Sequence, residues 1–487
     1  MFRFLRRKCA RNRWDLTMPV LSFGKDKITL GMAFENFAIF GGVGSGKTTG
    51  SGYAILFAMM FMGLGGLVLT AKAGDAARIR RICERAGRAD DLIVINDHSD
   101  WQFNFLGYLL EIQGRRGRAV ENLVTALDVA MRVAERATGM KAGPGQEAFW
   151  AQGIRKLARN VSSLIVYATN SVSVEHMLEV MRDVPRTLEH ANDDAWKNQS
   201  LICQLLPLAR TRCQDPLAQH DLNQIEAYFL QEFPAIARRT RSVFEAGLYG
   251  ILDLFSRGSL HWMFGRGTNV TPAACFDGKI IVIDLPVATH GAVGMVGQTI
   301  FKHAFQQIVQ QRTPDQQLPL FLVADEFQEL VTAEDFRFAS VSRESKVVNL
   351  WMTQSIASIY ATLGADESGR AACDAILGLA GTKIFHANSC PMTNQWAADL
   401  IGRRRMWLSS SSVNHAPYRM LEIFPEEPGF TTSNSEAFEY AVLPHEFTSL
   451  LRAGPPRMKT EAIVFSSGRV WHGSNETYLK VVFDQGV

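Results

Sequence analysis

Two stretches far apart in the chain carry residue types and spacings suited to phosphate chemistry. The first, Gly41-Gly42-Val43-Gly44-Ser45-Gly46-Lys47-Thr48-Thr49, fits the pattern G-x-x-x-x-G-K-[ST]. In such a loop backbone N–H groups wrap phosphates, Lys47 reaches the β and γ positions, and the Thr48 hydroxyl holds Mg2+. ATP with Mg2+ is therefore the expected ligand. A dinucleotide G-x-G-x-x-G pattern started at Gly42 needs glycine at position 47, where Lys47 stands.

The second stretch, LFLVADEF, is an apolar run closing on Asp325-Glu326. Two carboxylates at the carboxyl end of a buried strand lie where open α/β sheets bind ligands. Asp325 is expected to anchor Mg2+, and Glu326 to orient or deprotonate an attacking water. Without the phosphate loop upstream, the same pair reads as a solvated strand end. Gln354 closes the next apolar run, VVNLWMTQS; its amide can sense a γ-phosphate or hold water, or simply cap the strand. Arg343 precedes that run and is either a surface arginine or a guanidinium supplied in trans to a neighbouring subunit.

These residues need a sheet to position them. NFAIF (36–40) is a short strand directly before the phosphate loop, and the residues after Thr48 continue as an apolar helix. The span 53–69 is nearly long and apolar enough to cross a membrane. It begins beside a loop that must sit in water, however, and is broken by Gly63, Gly65 and Gly66, so it reads as a buried helix, a glycine turn and a buried strand. Residues 77–86 have helical spacing and LIVIN (92–96) is a further strand. From about 107 to 257 the segments are helix-length and hardly a strand appears. Strands resume at 279–286, 319–327, 347–355, 382–387 and 461–467, while 403–440, with SSSS, PEEPGF and TTSNS, reads as a long loop region.

Strands alternating with helices imply an α/β fold with a mostly parallel sheet. The expected division is a nucleotide-binding body built from residues 1–106, including a basic N-terminal arm, and 258–487, with an all-α domain, 107–257, inserted. A chain of 487 residues with 47% hydrophobic and 20% charged residues is long and apolar enough for such a globular architecture, which sets aside disorder and collagen. The net charge of +3 is too small to decide between partners. Seven scattered cysteines without a Cys-x-x-Cys pair, and histidines without H-x-x-x-H spacing, argue for a reducing compartment and against a metal site made only of protein ligands. The opening MFRFLRRKCARNRW is basic but lacks the apolar core of a secretory signal.

The set Lys47-Thr48, Asp325-Glu326, Arg343 and Gln354, with a helical block between the early strands and the acidic strand, resembles the HerA/FtsK superfamily of ring ATPases. Within it the chain is most similar to the type IV secretion coupling proteins, the TraD/TraG-type conjugative ATPases. FNFL (103–106) is similar to that family's Asn-Pro-Leu segment after the third strand, and EAFW (147–150), IVIDLP and the TKI strand match as well. The resemblance runs from about residue 30 to the end. TAKAGD (Thr70–Asp75) stands where the family has an Asp-Pro-Lys-Gly-like stretch, keeping Lys72. Most relatives begin with membrane-spanning helices, whereas about 35 residues precede the first expected strand here.

The resemblance implies a RecA-like fold and a homo-hexameric ring with ATP at subunit interfaces. It also implies DNA, or a DNA–protein conjugate, moved through the centre toward a membrane secretion machinery. Implied partners are DNA held by its backbone, a relaxase or other secretion substrates, and the membrane machinery reached through partners. Implied location is cytoplasmic or peripheral at the cytoplasmic face of the inner membrane. Arginine-rich stretches at 114–118, 237–241 and 402–407 are candidates for DNA, and each also reads as a solvated face. Two further readings stand beside this one: a cytosolic DNA motor of the same superfamily, and a nucleotide-gated adaptor that docks substrates without turnover.

Overall fold

A computed structural model of the chain describes residues 14–112, 116–138, 147–313, 318–364, 366–414 and 429–485. Five apolar segments form the heart of the sheet: β3 (Phe37–Phe40), β4 (Gly65–Leu69), β6 (Ile280–Ile283), β7 (Leu320–Ala324) and β8 (Val347–Thr353). All are buried along their whole length, as their apolar runs, interrupted within β8 by Asn349, require of strands covered on both faces. With β5 (Leu92–Ile95), β9 (Thr382–His386), β12 (Lys459–Ser466) and β13 (Tyr478–Asp484), they make a nine-stranded sheet in the order β13-β12-β9-β3-β8-β7-β4-β6-β5. The seven strands from β9 to β5 are parallel, and β12 and β13 add an antiparallel edge. The fold is α/β with a mostly parallel central sheet, as the alternation of strands and helices implied.

The two-residue side-chain period of the strands divides the core into two layers. Phe40, Leu69, Ile283, Leu322, Ala324 and Trp351 face a layer shared with the helical region. Phe37, Ile39, Val68, Val282, Val323 and Met352 face a second layer, covered by the helices Tyr53–Phe61 and Asp75–Arg85. The apolar span 53–69 is thus a nine-residue buried helix, a turn at Gly63 and the strand β4. Among the described residues no helix is long and apolar enough to cross a membrane. Gly66 sits where a Cβ would come 2.4 Å from the Phe321 carbonyl, so the close approach of β4 to β7 depends on its missing side chain.

Between β5 and β6 the described residues are almost wholly helical, with long helices at Arg116–Thr138, Glu147–Thr169 and Arg238–Ser256. These pack on the sheet through the long helix Val287–Gln310, which lies against β4 and against Arg116–Thr138.

Two expectations fail. The first strand is not the one before the phosphate loop: β1 (Pro19–Phe23) and β2 (Asp26–Thr29) precede it as an antiparallel hairpin. The basic arm before residue 14 lies outside the described residues. The region 403–440 is a long antiparallel hairpin, β10 (Arg403–Asn414) with β11 (Gly429–Tyr440), and residues 415–428 lie outside the described part. Its strands escape a periodicity reading because neither face is covered: the neighbours Trp407 and Leu408, on opposite faces, are 74% and 45% exposed, and the four serines that follow them are consecutive.

Candidate active site

The strand order places the two chemical stretches with one strand between them. The phosphate loop leaves β3, the acidic pair leaves β7, and β8 lies between β3 and β7. All three strands are parallel, so their carboxyl ends open on one edge. Phe40 pairs with Thr353, which brings the start of the loop level with the end of β8. The Gly41 N–H donates to the Thr353 carbonyl at 3.2 Å and the Gly42 N–H to Ala387 at 2.9 Å, tying the loop to both neighbours.

Gly44 (φ 70°) and Gly46 (φ 88°) take left-handed conformations that let the loop curl back on itself. Val43 points out, 77% exposed. The Ser45 hydroxyl is buried and has no partner among the described residues. Thr48 opens a single π-helical turn that runs into the helix Tyr53–Phe61, so a helix start faces the loop.

Glu326 is the centre of the site. It adopts φ 49°, ψ 52°, left-handed for a non-glycine residue, at the point where β7 turns into the one-turn helix Phe327–Leu330. The turn separates the two carboxylates. Asp325 Oδ2 accepts from the Thr48 hydroxyl at 3.1 Å, while Glu326 Oε1 lies 3.1 Å from Lys47 Nζ and 3.2 Å from Lys72 Nζ. Its other oxygen, Oε2, accepts from Gln328 Nε2 at 2.8 Å and Gln354 Nε2 at 3.2 Å. Two cations on one oxygen and two amides on the other hold the carboxylate in the mouth of the loop.

Electrostatics follow from this packing. Burial pushes the Asp325 carboxyl above its usual range, and Lys47 and Lys72 only partly offset that. Burial also works to raise Glu326, but Lys47, Gln328 and Lys72 outweigh it, and the carboxyl lies below its ordinary value. Burial works to lower Lys72, yet Asp325 and Glu326 hold it above the usual lysine range. Glu326 therefore rests as an ion.

Oxygen donors at Thr48 and Asp325, side by side at the loop, suit a hard cation that completes its shell with phosphate and water. The left-handed glycines and the unpartnered Ser45 hydroxyl make a cradle for a phosphate chain. The residues present thus fit ATP with Mg2+.

The structure brings Lys47, Thr48, Asp325, Glu326 and Gln354 together. Arg343 lies elsewhere, before β8 and therefore at the amino edge of the sheet. It pairs there with Glu35 at 3.2 Å and remains 72% exposed. It cannot serve the phosphate loop of its own chain.

Several groups at the site were not legible. Lys72 stands on the TAKAGD turn, which Asp75 organises by accepting from the N–H groups of Ala71 (3.3 Å) and Lys72 (2.9 Å). Its retention in that segment was the one available signal. Gln328 carries no motif. Thr460, on the antiparallel edge, donates to the Ser45 carbonyl at 2.6 Å, and Gln485 Nε2 donates to the Thr49 hydroxyl at 2.8 Å. Buried His386 faces Ser51 with Nε2 at 2.7 Å and the Glu461 carbonyl with Nδ1 at 3.1 Å. Since a carbonyl only accepts, Nδ1 carries the proton and Nε2 accepts from Ser51. Burial drives its pKa down to about 3 although the Glu461 bond opposes this.

Residues 319–448 match the family described as the TraM recognition site of TraD and TraG. The chain is similar in fold to the plasmid coupling protein TrwB in complex with the non-hydrolysable GTP analogue GDPNP. The TM-score is 0.61 at 12% identity, over 96% of this chain and 89% of that one. TrwB in complex with ADP and Mg2+ gives 0.58 at 12% identity, over 95% and 88%. The unbound monoclinic form of the bacterial conjugative coupling protein TrwBdeltaN70 gives 0.56 at 13%, over 99% and 90%. No curated protein matches the chain by sequence. Identities this low speak for the fold alone, which is RecA-like with an added helical domain. The family match is thus carried by residues 319–448, and the likeness in fold to the plasmid coupling protein TrwB extends over nearly the whole length.

Proposed function

We propose that the protein is an ATP-driven DNA translocase that acts as a coupling protein, delivering DNA or a DNA–protein conjugate to a type IV secretion channel. The observation that carries this reading is the Glu326 carboxylate, aimed from a left-handed turn at Lys47 and flanked by the Thr48–Asp325 pair. A carboxylate in that place is a general base or water-orienting group beside a phosphate cradle.

The residues act as follows. N–H groups from Gly41 to Thr49 bind the phosphates, and Lys47 leaves Glu326 Oε1 to meet the β- and γ-phosphates. Glu326 then keeps Lys72, Gln328 and Gln354 and is free to hold water and take its proton. Gln354 senses the γ-phosphate from the strand between the loop and the acid. Thr48 and Asp325 hold the metal ion, which when bound supplies neutralisation of phosphate charge. Arg343, exposed at the far edge of the sheet, is offered to the site of the next subunit in a hexameric ring.

The nucleotide-binding body comprises residues 1–106 and 258–487, with 107–257 as the helical insertion. DNA is held by its backbone, and its arginine contacts include the start of β10. The segment 319–448, matched to a TraM recognition site, receives a relaxase-bearing or other secretion substrate. The protein works in the cytoplasm or at the cytoplasmic face of the inner membrane, held there by partners.

The test is steady-state ATP hydrolysis without DNA, with single-stranded DNA and with duplex DNA, using Glu326→Gln as the blank. Stimulation by DNA that disappears in the variant supports the motor. Equal inactivity of both proteins under every condition overturns it in favour of a docking adaptor.

A further inference from the structure

The helix that follows Glu326 is a single turn, Phe327–Leu330, too short to satisfy its own last carbonyls. Two cations from outside do so. Arg136, near the end of the helix Arg116–Thr138, donates through Nη1 to the Val331 carbonyl at 3.1 Å and through Nη2 to the Glu329 carbonyl. Lys302, on the helix Val287–Gln310, donates to the Leu330 carbonyl between them at 2.6 Å and pairs with Asp335 at 2.5 Å. Three successive carbonyls are thus held from the helical side of the sheet.

At the other end of the same turn stands Glu326, and within it Gln328 grips Glu326 Oε2 and accepts from Thr353 at 2.7 Å. Phe327 is stacked on Trp351 of β8, with ring centroids 5.2 Å apart. A turn so short and so packed moves as one piece, so displacement of its carbonyl end is passed to Gln328 and the catalytic carboxylate. Of its two holders, Lys302 is fixed by Asp335 on the same side of the sheet. Arg136 alone belongs to the helical region.

Arginine suits this task because its planar fork reaches two carbonyls at once, which an ammonium cannot do with the same rigidity. Capping a helix C-terminus with a cation is also favourable to the helix dipole. The arrangement is not what stability alone would select, since Arg136 Nε is buried with no partner among the described residues.

We infer that Arg136 is a positioning residue through which the helical region sets the orientation of Glu326, so that whatever shifts the helix Arg116–Thr138 alters turnover and not nucleotide binding. This rests on the reading of Glu326 as the hydrolytic base. It goes beyond that reading by placing control of the base in the helical region.

Arg136→Ala and Arg136→Lys are compared with wild type in the full-length protein. The expected result for Arg136→Ala is a fall in kcat of about tenfold or more, with KM for ATP and the affinity for a fluorescent nucleotide unchanged. Arg136→Lys recovers part of the loss by holding one carbonyl. Arg159→Ala, which breaks an exposed ion pair with Glu121 in the same helical region, leaves kcat as it was. Unchanged kcat in Arg136→Ala overturns the inference. So does a loss shared equally by kcat, nucleotide affinity and melting temperature with no recovery in Arg136→Lys, which marks a purely structural role. If wild type itself shows no turnover, the reading of Glu326 fails, and amide hydrogen exchange decides the link separately. Faster exchange at 327–332 in Arg136→Ala, with the phosphate loop unchanged, keeps it; identical exchange ends it.

Discussion

Lys72 offers the sharpest test of how Glu326 is tuned, because it can be removed without touching the phosphate loop. Its ammonium lies 3.2 Å from Glu326 Oε1, the oxygen that Lys47 also contacts. In the proposed mechanism Lys47 turns to the phosphates, which leaves Lys72 as the remaining cation on that oxygen. At this separation two unit charges attract by roughly 1 kcal/mol in a water-like medium and roughly 5 kcal/mol at the effective dielectric usual near a protein surface. Lys72 is 53% exposed, so solvent screening places the effect near the lower figure. About 1 kcal/mol corresponds to about 0.7 of a pH unit. The sign is fixed by the direction of the shift: Lys72 helps hold Glu326 below its ordinary pKa, and its removal lets that pKa rise. In Lys72→Met the acid limb of kcat against pH should move up by roughly half to one unit, with the plateau little changed. Lys72→Arg should return the limb toward wild type. Saturating ATP and a pH series running from about 7 to below the ordinary glutamate value of about 4.3 cover the limb. A limb that stays put, or moves to lower pH, would refute the assignment of Lys72 as the cation that keeps Glu326 ionised.

Three other outcomes are expected. Gly46→Ala forces a side chain into φ 88° with its Cβ 2.8 Å from Thr460 Cγ2, so nucleotide binding measured by calorimetry should vanish and the melting temperature should fall. In Asp325→Asn the affinity for nucleotide should lose most of its dependence on Mg2+; retention of the wild-type ratio with and without the ion would place the metal elsewhere. Buried His386 resists protonation until about pH 3, whereas in the unfolded chain it takes a proton near 6.5. Its depressed folded pKa therefore costs stability as pH falls below about 6.5, amounting to about 2 kcal/mol by pH 5. His386→Gln should flatten that part of the pH dependence in denaturant unfolding at pH 7 and 5, and an unchanged dependence would count against the buried neutral imidazole.

Legibility in the sequence tracked how local each cause is. The phosphate loop and the acidic strand end are each contiguous, so Lys47, Thr48, Asp325 and Glu326 could be named from spacing. The strands behind them could be found because they are predominantly apolar runs, which a sheet buried on both faces demands. Gln354 was legible as the end of an apolar run, but that β8 lies between β3 and β7 is a property of strand order, and only this gives its amide a reason to meet Glu326. Thr460, Gln485 and His386 could not be found, because their contacts with Ser45, Thr49 and Ser51 depend on strand β9 and on the antiparallel edge beyond it, all far from the loop in sequence. The hairpin β10–β11 was read as a loop for a related reason: with both faces in solvent, no burial imposes an alternation of apolar and polar residues.

The left-handed turn at Glu326 links these observations. Had residue 326 continued the strand, its side chain would alternate to the face opposite Asp325, away from the loop. The turn instead keeps both carboxylates at the open edge and directs them to different partners, Asp325 to Thr48 and Glu326 to Lys47. A non-glycine residue in this conformation costs about 1–2 kcal/mol. Its neighbours oppose relaxation: the Glu326 N–H donates to Asp325 Oδ1 at 3.0 Å, the side chain has four partners, and Arg136 and Lys302 hold the end of the helix that follows. Drawing Lys47 off to a phosphate removes one of those restraints while the others stay. In the proposed mechanism nucleotide arrival thereby loosens the carboxylate on the side that faces the loop, where the attacking water is to stand, and leaves it fixed on the side that faces β8.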